Sequence, residues 1–358
     1  MINKINNINN NYKCIFSSSN SLNNKELIQS SKFLSNNSLL IINDKSIIKY
    51  NYDYNNENDS IESMNKQNEF IESNYIYDYD IIYDNNLNNQ YICLCSKNNP
   101  IRILNNDLSL VKSFSLERKI FEKYFSSTFI KYDEYGMNIF TGKNFLSKID
   151  LIKEKEIFTK FNKNYNYLSC FDFNNKYSCY FLGSYNHSLL LCDYKTDKII
   201  EIYKHEKSIN EIKILNTRIY QMLIGYRNSD YFCLFDIRNM NHYINKLERN
   251  ALTTKKINFV IDKDEYNVYS GDLDGNIIKY SLNKQLEDIN GNNEDNFLIK
   301  KINMVINNSI TSLDLENTNN LLITTHSNKS ILDIESEENE GLEKTKNKKE
   351  DFFSIFKF

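Results

Sequence analysis

Tryptophan is absent from this chain of 358 residues, proline occurs once, at Pro100, and glycine only eight times. The missing tryptophan dilutes any aromatic signature, because a tryptophan position must then hold Tyr or Phe. A basic surplus is also lacking. The net charge is −3, so no global positive field advertises nucleic acid, and such a site has to come from a local patch. No C-x-x-C occurs. The seven cysteines (Cys14, Cys93, Cys95, Cys170, Cys179, Cys192 and Cys233) are odd in number and lie mostly in apolar alternating runs. They read as reduced thiols acting as small core hydrophobes in an intracellular protein. Cys93 and Cys95 share one strand face, but no second ligand pair has the spacing of a zinc site. The start "MINKINNINN" has no apolar h-region, which predicts no secretory signal. No apolar run of about 20 residues predicts a membrane span. Phosphate-cradling G-x-x-x-x-G-K-[ST], G-x-G-x-x-G and G-x-S-x-G are all missing, and the four histidines are scattered without ligand spacing. No enzyme, cofactor or metal is expected.

What is present is a repeated shape. "YSGDLDGNIIKYSL" (269–282) places alternating apolar residues on both sides of a turn-forming "DLDGN", the pattern of a β-hairpin. "FTGKNFLSKIDL", "LGSYNHSLLLCDY" and "IGYRNSDYFCLFDIRN" repeat it, so Gly142, Gly183, Gly225 and Gly271 recur about every 40–46 residues, the period of a propeller blade. Each glycine stands at the end of one strand, where a tight turn into the next is expected to need it. Weaker copies at 39–52, 92–106 and 321–334 bring the hairpins to seven. A further strand precedes most of them ("SKFL", "STFIKYD", "YLSCFDF", "INEIKIL") and another follows several ("LSLVKSF", "KIIEIYKH"). Four strands in each of seven units predict an all-β, seven-bladed β-propeller over 24–334. An Asn/Ser-rich segment, 1–23, contains "YKCIF" (12–16), a candidate closing strand that would cover the free edge of the last blade. Residues 53–73 and 283–297 read as solvated inserts, and 335–358 as a charged tail. That tail ends in the apolar "FFSIFKF", which either docks on a blade or binds a partner.

His205 before a strand and Asp236 in "CLFDIRN" resemble the histidine and aspartate of WD40 repeats, with Phe235 in place of tryptophan, so the repeats are degenerate. The order of several motifs is similar to the telomerase Cajal body protein 1 family of WD40 proteins. "IYDY" matches through Ile76, Tyr77, Asp78 and Tyr79, and "NPI" through Asn99, Pro100 and Ile101. "GYRNSDYFCLFDIRN" matches through Gly225, Arg227, Asp230, Asp236, Ile237 and Arg238. "TTKKINF…SGDLDG" matches through Thr253, Thr254, Ile257, Phe259, Ser270, Gly271 and Gly275. The tryptophans are lost, as is the long N-terminal region of the animal proteins. The resemblance implies binding of small H/ACA-type RNAs, including telomerase RNA, through a short loop motif. It also implies contact with H/ACA ribonucleoprotein core proteins and delivery within the nucleus. The alternative is a WD40 platform for protein–protein interaction without RNA.

In a propeller the turns between the second and third strands of all blades share one face. Six of the seven carry a basic or potentially basic side chain: Lys45, Lys97, Lys143, His187, Arg227 and Lys329. They form a candidate ring for RNA phosphates, or simply solvated turns. Tyr185, Tyr226 and Phe145 are candidates for stacking on splayed bases. Lys255 and Lys256 are placed to join the patch. Arg227 suits bidentate contact with phosphate or guanine, or else a structural pair with Asp230 or a neighbouring blade. Tyr77, Asp78 and Tyr79 read as packing, with Asp78 bonding buried backbone groups. Pro100, His205, Asp236 and Arg238 read as supports of the blades. "KTKNKK" (344–349) is a weak nuclear-localisation run. The non-local pairings of a propeller slow folding, which points to help from a chaperonin.

Overall fold

The computed structural model describes residues 13–18, 28–34, 37–84, 89–116, 126–133, 136–159, 167–174, 179–193, 199–218, 220–282, 298–303, 308–316, 320–327 and 352–357. Within them lie seven four-stranded antiparallel sheets, arranged as the blades of a propeller. Blade 1 is β2 (Ile28–Leu34), β3 (Ser38–Asn43), β4 (Ser46–Asn55) and β5 (Ser60–Ile71), and β1 (Lys13–Ser17) is held elsewhere. Blade 2 is β6 (Ile76–Asp84), β7 (Asn89–Ser96), β8 (Ile101–Leu104) and β9 (Leu110–Phe114). Blade 3 is β10 (Phe129–Asp133), β11 (Asn138–Gly142), β12 (Leu146–Asp150) and β13 (Lys155–Thr159). Blade 4 is β14 (Leu168–Asn174), β15 (Cys179–Ser184), β16 (Ser188–Asp193) and β17 (Ile199–Lys204). Blade 5 is β18 (Ile209–Ile214), β19 (Gln221–Tyr226), β20 (Tyr231–Asp236) and β21 (Asn239–Glu248). Blade 6 is β22 (Phe259–Ile261), β23 (Asn267–Gly271), β24 (Asn276–Ser281) and β25 (Leu298–Asn303). Blade 7 runs β26 (Ser309–Glu316), β27 (Leu321–Ser327), β28 (Phe352–Lys357) and, outermost, β1.

The second strands read as unbroken apolar runs because both faces of each sheet are covered. Seven clusters of buried side chains fill the seven spaces between adjacent blades. Successive residues serve opposite spaces: Ile139 packs toward blade 2 and Phe140 toward blade 4. This is the two-residue period of a strand used on both sides. All seven cysteines are free, and five of them, Cys93 and Cys95 included, are buried.

Three departures from the sequence reading have physical causes. Residues 53–73 do not form a loop insert, because most of them belong to a long hairpin in which Tyr54 pairs with Ile61 and Tyr52 with Met64. Tyr52, Tyr54, Ile61 and Met64 gather on the side facing the closing blade, an alternation hidden by the intervening Asn, Asp and Glu. The partner of β27 is not the run at 330–334 but the C-terminal "FFSIFK", whose Phe353 and Ile355 are buried between blades 7 and 1. Strand β1 then pairs with β28, so chain ends distant in sequence close the ring. The recurrent glycines, finally, lie inside strands without positive φ, and Gly275 is the turn glycine, at φ 82. Gly183, Gly225 and Gly271 answer to close approach between blades, whereas Gly142 answers to the tight turn itself, since a Cβ there would run into the Phe145 carbonyl of its own hairpin. A Cβ on Gly183 would stand 2.6 Å from Ile209 Cγ2 of the next blade, and one on Gly271 would stand 2.6 Å from the Ile310 carbonyl oxygen.

Candidate functional site: the channel and its rim

The innermost strands β2, β6, β10, β14, β18, β22 and β26 surround a central channel holding a cavity of about 350 Å³. An innermost strand is a sheet edge, so its outward N–H groups have no ladder partner. Here a side chain from the preceding blade supplies one. Asp78 and Asp80 accept the N–H groups of Ile130 (3.1 Å) and Tyr132 (2.9 Å). Asp172 accepts from Ile214 (2.7 Å), Glu211 from Phe259 (3.2 Å) and Asp314 from Phe33 (2.8 Å). Asn258 does the same with its amide oxygen for Leu313 (2.9 Å). These acids are clasps between blades. Burial holds the carboxyls of Asp78, Asp172 and Glu211 above their usual pKa, a cost offset in part by nearby lysines.

Register aligns one channel position in every blade. Lys32 lies opposite Leu40, Asp80 opposite Cys93, Lys131 opposite Phe140 and Asp172 opposite Phe181. Lys213 lies opposite Leu223, Val260 opposite Tyr269 and Asp314 opposite Ile323. Around the ring the order is Lys, Asp, Lys, Asp, Lys, Val, Asp. Seven positions cannot alternate in sign throughout, and the break falls at Val260. Sequence reasoning passed over these lysines. The available signal was a lysine between apolar residues of an innermost strand, as in "SKFL", "FIKYD" and "EIKIL".

The rim is built from the turns between second and third strands together with the connections between blades, which hydrogen bonds stitch together. Lys97 N–H donates to the Tyr75 carbonyl (2.8 Å), Arg227 N–H to Ser208 (2.8 Å) and Asn228 N–H to Thr253 (3.0 Å). Lys45, Lys97, Lys143, His187 and Arg227 therefore share one face with Lys255 and Lys256. His187 occupies the left-handed position of its turn, at φ 69. Among the described residues no direct ion pair engages Lys45, Lys97, Lys143, Arg227 or Lys256. Asp44 instead accepts from Gln29 (3.0 Å), Glu72 from Arg102 (2.7 Å), Asp230 from Lys207 (3.5 Å) and Asp274 from Asn250 (3.1 Å). Glu206 stands open beside blade 5.

Three exposed tyrosines, Tyr75, Tyr167 and Tyr185, interleave with these cations. The Arg227 guanidinium lies 5.3 Å from the Tyr185 ring centre while its Nε donates to the Thr254 carbonyl oxygen (3.1 Å). Lys143 Nζ lies 5.2 Å from the ring centre of Tyr167. Burial pushes the Tyr75 hydroxyl up to about 12 and raises that of Tyr185, against the pull of Lys256 and Arg227. Desolvation would lower the Lys256 ammonium, but Asp78 and Glu211 outweigh it and hold the pKa above the usual lysine value.

Other sequence candidates fall elsewhere. Tyr226 is buried and stacks on His205 with ring centres 4.0 Å apart, because its place at the end of β19 points it between blades 4 and 5. Phe145 is buried between blades 2 and 3. Neither can meet a base. His205 accepts the Lys207 N–H at Nδ1 (3.0 Å). Asp236 receives Arg238 Nε (3.0 Å) and Nη2 (2.6 Å), and Arg238 covers Tyr220, at the end of blade 5 away from Arg227. Pro100 ends a turn in which Asn99 Nδ2 donates to Glu72 (2.7 Å). Tyr77 and Tyr79 line the channel beside Asp78. Lys329 and the segments 283–297 and 335–351 lie outside the described residues. Among the described residues no group of three or more His, Cys, Asp or Glu is gathered as a metal would need.

No protein-family model and no curated protein sequence matches the chain. Among solved structures, it is similar to the crystal structure of the WD40 β-propeller domain of Doa1, with a TM-score of 0.61 over 96% of each chain at 10% identity. Likeness at that identity concerns architecture alone, and it agrees with the blade count: the fold is a seven-bladed, all-β propeller of the WD40 type.

Proposed function

We propose that this WD40-type propeller is a scaffold that binds single-stranded RNA across the channel rim. The observation that carries the reading is the set of rim cations without a direct ion pair, Lys45, Lys97, Lys143 and Arg227, interleaved with exposed tyrosines. Phosphates need unpaired Lys and Arg, and splayed bases need aromatic faces. The Arg227–Tyr185 and Lys143–Tyr167 pairs offer both within one contact distance. The ordered motifs similar to the telomerase Cajal body protein 1 family suggest the class of RNA, small H/ACA-type RNAs including telomerase RNA. They also suggest H/ACA core proteins as companions and the nucleus as the place of action.

Crosslinking of the tagged protein in its own cells, followed by sequencing of the attached RNA, tests this. Enrichment of H/ACA-type RNAs that is lost on Arg227→Glu is the expected result. Enrichment that survives this substitution moves the contact off the rim. No RNA above background overturns the reading and leaves a scaffold for protein partners.

A further inference from the structure

Below the rim, the three lysines of the alternating ring come from blades 1, 3 and 5 and face one another across the channel. Each pair is close enough for mutual repulsion: Lys131 and Lys32 both disfavour the charged form of Lys213, and Lys32 disfavours that of Lys131. The intervening acids do not fill the space between them. Asp80, Asp172 and Asp314 are drawn to the wall by the N–H groups of Tyr132, Ile214 and Phe33. Lys32 reaches back to Asp314 (3.0 Å) and Lys131 to Asp80 (3.5 Å). Both ammonium-bearing side chains are still about a third exposed, at 39% and 31%, so they retain free donor positions. Lys213 stands next to the break at Val260. It makes no hydrogen bond or ion pair among the described residues, while Glu211 on its own strand and Asp172 of blade 4 both favour its charged form. Asp78 and Glu211 also line the channel and likewise accept backbone N–H groups of the next blade, so the open lysine donors stand among carboxylates that are each already engaged by the wall.

We infer that the channel is a binding site for an oxyanion, a phosphate or carboxylate group of a small ligand, seated on the axis between Lys32, Lys131 and Lys213. An anion there would accept from three ammonium groups and relieve their repulsion, and charge-assisted bonds of this kind are the strong ones. The cavity of about 350 Å³ is within the size of small-molecule sites. The cavity reaches the rim at Tyr75, Lys255 and Lys256, but Arg227, Tyr167 and Tyr185 are not part of its wall, and the site does not depend on the RNA reading.

Calorimetric titration of the full chain tests the site, with inorganic pyrophosphate in one arm and tricarballylate in the other. Saturable binding of at least one probe is expected. Lys213→Met should weaken it on the order of tenfold or more, the loss of a charge-assisted bond. This substitution nearly keeps the length of the side chain and breaks no direct ion pair, but it removes one of the lysines that favour the charged Asp172 and Glu211, so its folding is checked first. Lys32→Met provides a second reading should the first variant fail to fold by circular dichroism. Lys153→Ala, at an exposed turn of blade 3 outside both the channel and the rim, should leave the affinity unchanged. Pyrophosphate alone binding assigns the site to phosphates, and both probes binding assigns it to oxyanions generally. Absence of binding by either probe at millimolar concentration overturns the site. So does binding that ignores Lys213→Met and Lys32→Met, or that disappears with Lys153→Ala.

Discussion

The channel wall and the rim use the same residue types for different ends. On the wall, aspartates and glutamates are held by backbone N–H groups of the next blade, and charges alternate in sign around the ring. On the rim, only one turn away, Lys45, Lys97, Lys143 and Arg227 stand without acids, and Arg227 and Lys143 rest on tyrosine rings. The difference is one of edges. An innermost strand has N–H groups that need an acceptor inside the fold, so an acid there is structural. A turn has already satisfied its backbone through the stitches between turn and connection, so its side chain is left for solvent or a partner. Identity of residue says little about role here, whereas position relative to an unpaired backbone edge says much.

The sharpest way to break this comparison is to remove one clasp. Asp314 joins the last blade to the first, accepting both the Phe33 N–H and Lys32. Asp314→Ala leaves a buried donor unpaired and frees a partly exposed lysine. With the ion pair discounted for screening, the loss should be about 2–3 kcal/mol. Asp314→Asn, which keeps an acceptor, should lose less. Lys45→Ala on the rim should fall within about 0.5 kcal/mol of the parent. Urea unfolding of the three variants reads the differences, and equal losses for Asp314→Ala and Lys45→Ala would dissolve the distinction between wall and rim.

A second contrast separates two glycines in one hairpin. Gly271→Ala drives a Cβ toward the Ile310 backbone and should cost about 1–3 kcal/mol as overpacking between blades 6 and 7. Gly275→Ala meets only the left-handed backbone of the turn and should cost about 1 kcal/mol. Thermal melts of the pair check the order. A larger loss at Gly275 would mean that the turn, rather than the approach of the blades, is the tighter constraint.

The hairpins were legible in the sequence because each blade repeats a local pattern. The turn reason given for their glycines holds at Gly142, but at the others the reason was not legible, since it depends on the next blade, as with Gly183 and Ile209. The third strand of blade 7 escaped because β28 joins its sheet across a long polar segment, and no local pattern ties "FFSIFK" to "LLITTHS". The hairpin at 46–71 was hidden by Asn, Asp and Glu between its apolar residues. The rim cations were found from turn positions alone, but Tyr75 and Tyr167 lie in connections between blades and were passed over. Tyr226 and Phe145 were misplaced because a residue next to a turn can still belong to the interior, and strand parity decides which. The ring of Lys and Asp needed the register of seven strands at once.

The smallest effect expected is also the most specific. If the rim binds RNA by charge alone, Arg227→Lys should be silent, because the charge is kept. If it binds through the planar guanidinium held over Tyr185, lysine should do worse, since an ammonium cannot stack and fork at once. A loss of roughly twofold to fivefold in affinity for single-stranded RNA, with an unchanged melting temperature, is the outcome the geometry favours. Fluorescence anisotropy at two salt concentrations separates the cases. A charge-only contact keeps both affinity and salt slope in the lysine variant, while a stacked contact loses affinity at a nearly constant slope, because the number of neutralised phosphates is the same. Wild-type affinity in Arg227→Lys would therefore reduce the rim to a ring of point charges, and the tyrosine faces would have no part in binding.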